Sequence, residues 1–183
     1  MSPDDVDLTV LDLQLSRNFD EQVLQGPAAV EHLTARGYRV CLYTDERRLL
    51  VLATCFSSGA CGLARKSDSI TDNQTAFLQV IKGTPVIPSS MVELAELLAY
   101  RDRLPTLTER QSEVLRGRAR GITWGALARR LGISTKTAQE HMNAVMLKMM
   151  SVLQAAHLSN SATPGDIERA LGLAPGDLAA PTC

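Results

Sequence analysis

The stretch from Leu107 to Met150 constrains this chain more than any other part of it. It reads LTERQSEVLRGRARGITWGALARRLGISTKTAQEHMNAVMLKMM, three helical patterns divided by two short breaks in 44 residues. Thr108, followed three residues on by Gln111, forms a capping box at a helix start. Val114, Leu115 and Ala119 then recur at helical spacing until Gly121 ends the pattern. Thr123 caps a short second helix with Leu127, Ala128 and Leu131 facing inward. Gly132-Ile133-Ser134 is a tight turn in which glycine tolerates positive φ and Ser134 or Thr135 caps the next helix. That third helix, about 135–149, buries Ala138, Met142, Val145, Met146 and Met149. A short helix, a glycine turn and a longer helix make a helix-turn-helix, whose second helix reads the major groove of DNA.

Charge agrees with this reading. The stretch carries eight basic residues (Arg110, Arg116, Arg118, Arg120, Arg129, Arg130, Lys136 and Lys148) against Glu109, Glu113 and Glu140, a net +5 in a chain of net −1. A basic segment in an otherwise acidic protein points to a polyanion at that segment.

At these residues the stretch resembles the LuxR-type (GerE) DNA-binding domain. The shared features are LTERQSEVL at 107–115, Gly121, Ala128 before Leu131-Gly132-Ile133-Ser134, Lys136-Thr137, His141 and Lys148-Met149. Region 4 of a sigma factor shares the first half but usually lacks the Lys-Thr and His spacing. The resemblance implies that Gln139, Glu140 and Asn143 are the base readers. Gln and Asn suit bidentate contact with adenine, and Glu accepts from cytosine. Lys136 and Lys148 are expected on the same exposed surface. Thr123, Trp124, Ser134, Thr135, Lys136 and Thr137 are expected to meet phosphates through hydroxyls, amides or charge. Trp124, the one tryptophan, stands at a first-turn site where a smaller polar residue is usual. It lies either against the sugar-phosphate backbone or at a domain or dimer contact. His141 is expected to pack beside the backbone.

Before this stretch the chain alternates short apolar runs with helical patterns. Val6 to Leu15 is β-like with Asp12 near its end, and 26–36 is helical with Ala29, Val30 and Leu33 on one face. Tyr38 to Thr44 is a second strand, and Asp45 is expected to cap a helix over 46–58, ended by Gly59. Cys61 to Lys66 is a third strand, and 68–82 is a helix with Ile70, Phe77, Leu78 and Ile81 as its apolar face. Such alternation implies a parallel three-stranded α/β sheet, with chemistry at the carboxyl ends of its strands. Asp12, Thr44 and Lys66 all fall there.

This series resembles the second half of a response-regulator receiver domain, a flavodoxin-like fold, over about residues 5–82, with Gly26-Pro27 and Gly59-Ala60-Cys61-Gly62 as supporting matches. In that family the aspartate accepts a phosphoryl group, the hydroxyl switches towards it and the lysine pairs with it. A receiver begins with a further strand carrying an acidic pair that holds Mg²⁺. Here Asp4 and Asp5 precede the Asp12 strand on its own segment and do not sit at the end of a neighbouring strand. Without that metal, in-line transfer loses its main electrostatic support. Asp12, Thr44 and Lys66 therefore read as a vestigial phospho-site, with Asp12 and Lys66 left as an ion pair. A working phospho-acceptor is the alternative. The Asp12 strand would be an edge, and an apolar edge pairs or aggregates unless covered, so a homodimer or a protein partner is expected there. A longer chain that supplies the missing strands is the other possibility.

Gly83 to Pro88 marks a boundary. The expected organisation is a receiver-like domain over 1–84 and a linker over 85–106, with a helix at 90–102 carrying Leu94, Leu97 and Leu98. Arg101 to Pro105 is read as the hinge into an all-α helix-turn-helix domain over 107–173. A helix over 164–171 with Ile167, Ala170 and Leu171 is a weak match to the family's dimerising helix, and 174–183 is expected as a disordered tail. Cys41, Cys55, Cys61 and Cys183 show no metal-ligand or disulfide spacing, and Cys41 is expected to pack as a small hydrophobe. No apolar run is long enough to span a membrane, and MSPDDVD is no secretion signal. The resulting expectation is a cytoplasmic, nucleoid-associated transcription regulator that binds double-stranded DNA as a homodimer. It is not expected to be an enzyme or to need a metal or cofactor. An interaction protein acting through the receiver remnant on another regulator or a sigma factor is the alternative.

Overall fold

The computed structural model describes residues 2–13, 24–159 and 161–178. The chain divides into two compact units, one ending at Pro88 and one beginning at Ser89.

In the first unit, β1 (Thr9–Leu11), β2 (Val40–Tyr43) and β3 (Gly62–Ala64) form a parallel sheet in the order β1-β2-β3. Leu11, Leu42 and Leu63 align across it as one buried row, and Val10, Cys41 and Gly62 as the next. Successive residues of a strand face opposite sides, so the two rows line opposite faces. Crossover helices α1 (Gly26–Thr34) and α2 (Leu49–Ser57) pack on one another, and α3 (Ile70–Ile81) packs on β3. The fit over Gly62 is close: a Cβ there would run into the Val80 side chain of α3. β1 is shorter than the apolar run in the sequence, whose last two residues, Gln14 and Leu15, lie outside the described residues.

Two local expectations fail here. Asp45 does not cap α2, which starts at Leu49 with no side-chain cap on Arg48. The Glu46 carboxylate instead accepts from the backbone N–H groups of Arg47 (2.9 Å) and Arg48 (2.8 Å). Asp45 turns away to accept from the Ser67 N–H at 2.9 Å, which holds its carboxyl below the usual range. The apolar face read for α3 is also wrong. Ile70 is 79% and Leu78 53% exposed, while Asn73 and Val80 are buried. Asn73 Nδ2 donates to the carbonyl of Arg65 at 3.0 Å. This polar anchor, with Val80 over Gly62, rotates the helix away from the orientation its isoleucines would choose.

The second unit contains α4 (Ser89–Tyr100), α5 (Glu109–Ala119), α6 (Trp124–Leu131), α7 (Thr135–Ala155) and α8 (Pro164–Leu171). The helix expected in a linker belongs to this unit: Met91, Leu94, Ala95 and Leu98 of α4 are buried, and α4 packs on α5 and α7. Arg101 and Arg103, read as part of a hinge, are anchored. Arg101 forms an ion pair with Asp177 at 3.0 Å, and the Arg103 guanidinium lies over Gly172. In α8, Ile167 and Leu171 are buried as expected, but Ala170 is exposed and Glu168 is turned in. The Glu168 carboxylate accepts from the N–H groups of Gly176 (2.9 Å) and Leu178 (2.8 Å). Residues 174–178 are therefore an ordered turn and not a disordered tail, because their amides and Asp177 are tied to α8 and to the end of α4. The rest of the expected tail, 179–183 with Cys183, lies outside the described residues.

Gly117, mid-way along α5, is buried against Leu127 of α6. A Cβ on it would come within 2.5 Å of Leu127 Cδ1. Alanine would recover about 1 kcal/mol of helix propensity, so a larger residue gives the cleaner test. Gly117→Val should destabilise the second unit by about 1–3 kcal/mol, the usual cost of overpacking, read as a lower urea midpoint with unchanged slope.

Candidate nucleic-acid interface

Three hydroxyl residues set the helix starts that shape this surface. Thr108 and Gln111 form a reciprocal box at α5, with N–H···O distances of 3.1 and 3.3 Å. Thr123 accepts from the Ala126 N–H at 3.4 Å and opens α6. Ser134 accepts from the Thr137 N–H at 3.0 Å and opens α7. Between α6 and α7 the chain reverses through Gly132 at φ +65°, a conformation that costs glycine nothing. The turn is held by apolar contacts of α6 and α7, with Leu127 and Ala128 on one side and Ala138 and Met142 on the other, all buried. Leu131 and Ala119, expected inside, are half-buried.

The exposed charge is strongly positive. Arg116, Arg120, Arg129, Arg130 and Lys136 are all exposed, and among the described residues none of the five is in an ion pair. Arg110 is held by Glu113 at 2.9 Å. Arg118 is different again. Its guanidinium lies 4.4 Å from the centroid of the Trp124 ring, and it donates to the Ile122 carbonyl at 2.6 Å. Burial lowers its pKa. The pair lies at the α5–α6 turn, within the second unit. Nothing in the sequence marked Arg118 apart from its basic neighbours.

On α7, Lys136, Glu140 and Asn143 are exposed, as are Thr135 and Ser134 before them. Two expected members of this surface are placed otherwise. Gln139 is buried, at 8% exposure. The helix phase puts it on the margin between the apolar stripe and the stripe that Lys136, Glu140 and Asn143 form. Lys148 is half-buried, and its ammonium donates to the Thr106 carbonyl at 2.5 Å and to Gln111 Oε1 at 3.0 Å. It ties α7 to the start of α5 instead of standing free on the outer surface. The Thr137 hydroxyl lies 2.8 Å from Ser134 Oγ within the cap, and His141 is half-buried.

Residues 105–158 match the family model described as "Bacterial regulatory proteins, luxR family". These residues form a luxR-family domain. The luxR-family match begins at the α4–α5 connection and ends just beyond α7, so it contains every helix start described above. Over 111 residues the chain is 32% identical to the probable transcriptional regulatory protein SgaR of Hyphomicrobium methylovorum, covering 61% of this chain and 51% of SgaR. The chain thus spans about half the length of that relative. Among solved structures it is similar to RcsB from Salmonella enterica serovar Typhimurium bound to promoter P1flhDC with the phosphomimetic BeF3−. That match has 20% identity and a TM-score of 0.44, covering 91% of this chain and 75% of RcsB. It is also similar to the Salmonella typhimurium RcsB response regulator (22% identity, TM-score 0.43, covering 84% and 76%).

The other expected group assembles in the first unit, at the carboxyl ends of the three strands. Lys66 Nζ donates to Asp12 Oδ2 at 2.6 Å, the ion pair expected from the sequence, with both side chains part-exposed. Thr44 is 1% exposed, and its hydroxyl accepts from the Glu46 N–H at 3.2 Å. Glu46, which sequence reading missed, is a buried carboxylate forked onto Arg48 through Nε at 3.0 Å and the terminal nitrogen at 2.5 Å. The arginine's hydrogen bond holds its carboxyl below the usual range. Cys41 is fully buried in the sheet, and burial pushes its thiol up to about 12.

Lys148 is the contact in the second unit with the most direct test. Lys148→Met keeps the stem and removes three donors, leaving the Thr106 carbonyl and Gln111 amide without their cation. The expected loss is about 1–2 kcal/mol of unfolding free energy, measured by urea denaturation against the parent chain.

Proposed function

We propose that this chain is a sequence-specific DNA-binding transcription regulator that lays α7 in the major groove. The observation that carries this reading is the exposed stripe of Lys136, Glu140 and Asn143 on the second helix of a luxR-family helix-turn-helix, in a unit where Arg116, Arg120, Arg129 and Arg130 are exposed as well. Asn143 offers bidentate hydrogen bonding to adenine. Glu140 accepts from cytosine N4 and repels a misplaced phosphate. Arg116, Arg120, Arg129, Arg130 and Lys136 supply the salt-dependent attraction to the backbone. Thr123, already an acceptor in its cap, keeps an O–H to donate to phosphate, and one hydroxyl of the Ser134–Thr137 pair does the same. The names of SgaR and the promoter-bound RcsB accord with this reading. A regulator of this kind works in the cytoplasm, at the nucleoid. Among the described residues no helix is long and apolar enough to cross a membrane.

The regulator acts as a dimer on two half-sites, without phosphorylation of Asp12. Supporting the dimer, β1 ends the described sheet with Val10 46% exposed, and Ile70 and Leu78 of the same unit are exposed as well. Supporting phosphorylation independence, Asp12 is closed onto Lys66, and the Thr44 hydroxyl is buried in its own turn, fixed through the Glu46–Arg48 fork. A dilution series by light scattering should show a dimer at micromolar protein; monomer alone would remove the dimer. Acetyl phosphate with Mg²⁺ should leave the mass unchanged, whereas a gain of one phosphoryl group on Asp12 would restore a working acceptor.

Binding-site selection with the purified full chain at stated salt should return a defined half-site. Asn143→Ala should then weaken the selected site by about 1–3 kcal/mol with little change on random DNA. Equal weakening on both would reduce Asn143 to a non-specific contact.

A further inference from the structure

An isolated leucine on a protein surface requires no ligand. Leu147 differs in where it stands. It is 64% exposed, on a helix where Met142, Val145, Met146, Met149, Met150 and Leu153 are at most 6% exposed and Val152 is half-buried. Lys136, Glu140, Asn143 and Leu147 follow one another at intervals of four, three and four. At 100° per residue they fall within about 60° of arc, a single stripe along α7. Gln139, which would widen that stripe, is turned in. Leu147 therefore continues the surface that carries Glu140 and Asn143, about 6 Å further along the helix axis.

A leucine has no hydrogen bond to give to a base or phosphate. The one apolar group that a base edge offers in the major groove is the C5-methyl of thymine. The neighbouring cation does not compete for this place, because the Lys148 ammonium is committed to Thr106 and Gln111. We infer that Leu147 is a specificity-determining residue of the reading surface, seated on the methyl group of a thymine about two base-pair steps beyond the base that Asn143 reads. The step count follows from the 6 Å offset and the rise of about 3.4 Å per base pair. The inference rests on the DNA-binding reading above and adds the outer base that this reading leaves unassigned.

The test removes the methyl from each side in turn. Binding-site selection by the full-length chain should show a thymine preference about two positions from the base whose identity depends on Asn143. Replacing that thymine by deoxyuridine, which deletes only the methyl, should weaken the parent protein about fourfold, the worth of one buried methyl group. Leu147→Ala should lose the preference, bind the thymine and deoxyuridine sites equally, and keep the parent's salt slope. The side chain is mostly exposed, so this variant should melt like the parent. The inference is overturned if deoxyuridine weakens parent and variant alike, or weakens neither. It is also overturned if Leu147→Ala keeps the selected sequence while shifting the oligomeric state, which would make the leucine a protein contact. If the parent selects no sequence at all, the DNA-reading function falls with it. A selected site that responds to Asn143→Ala and not to deoxyuridine removes the role of Leu147 alone.

Discussion

The second unit depends on one apolar stripe of α7. Ala138, Met142, Val145 and Met149 are fully buried, and α4, α5 and α6 all pack on the helix that carries them. Each buried methionine or valine contributes on the order of 1.5–3 kcal/mol, so the stripe fixes the helix against rotation as well as against loss. That rigidity sets the outward face. Because Met142 and Val145 must point in, Glu140 and Asn143 must point out. The helix that holds the unit together is therefore the helix proposed to read DNA, and a change of packing on one side re-aims the chemistry on the other.

Much of this was legible in the chain itself. The box at Thr108, the cap at Ser134, the glycine turn at 132 and the methionine spacing are local signals, and local signals survive folding. What failed were residues whose placement depends on a distant partner. Gln139 reads as an exposed polar residue, yet it is 8% exposed. Lys148 reads as a surface cation, yet the Thr106 carbonyl and the Gln111 amide that claim it lie 42 and 37 residues away. Leu147 carried a signal in its spacing from Lys136 and Asn143 that is plain only once its exposure is known.

The first unit shows the same division. The parallel sheet follows from alternation, while the edge place of the Asp12 strand and the meeting of Asp12 with Lys66 follow from the resemblance to a receiver. The orientation of α3 does not, because Asn73 on the Arg65 carbonyl and Val80 over Gly62 are contacts with distant partners. A hydrogen bond left unmade in a buried place costs about 1–3 kcal/mol, comparable to exposing an aliphatic side chain, so the contest is decided by geometry. Glu46 is the second case. It lies one residue beyond the expected cap, and its fork with Arg48 fixes the turn in which Thr44 is buried.

The ion pair of Arg101 with Asp177, together with the two amides on Glu168, closes the second unit end to end. The compact unit that begins at Ser89 is thus longer than the 105–158 of the recognisable motif. A fragment cut to the motif would strip α4 from α7 and uncover methionine and leucine side chains that are otherwise dry. The stretch that carries the family's signature is shorter than the stretch that keeps its apolar surface covered.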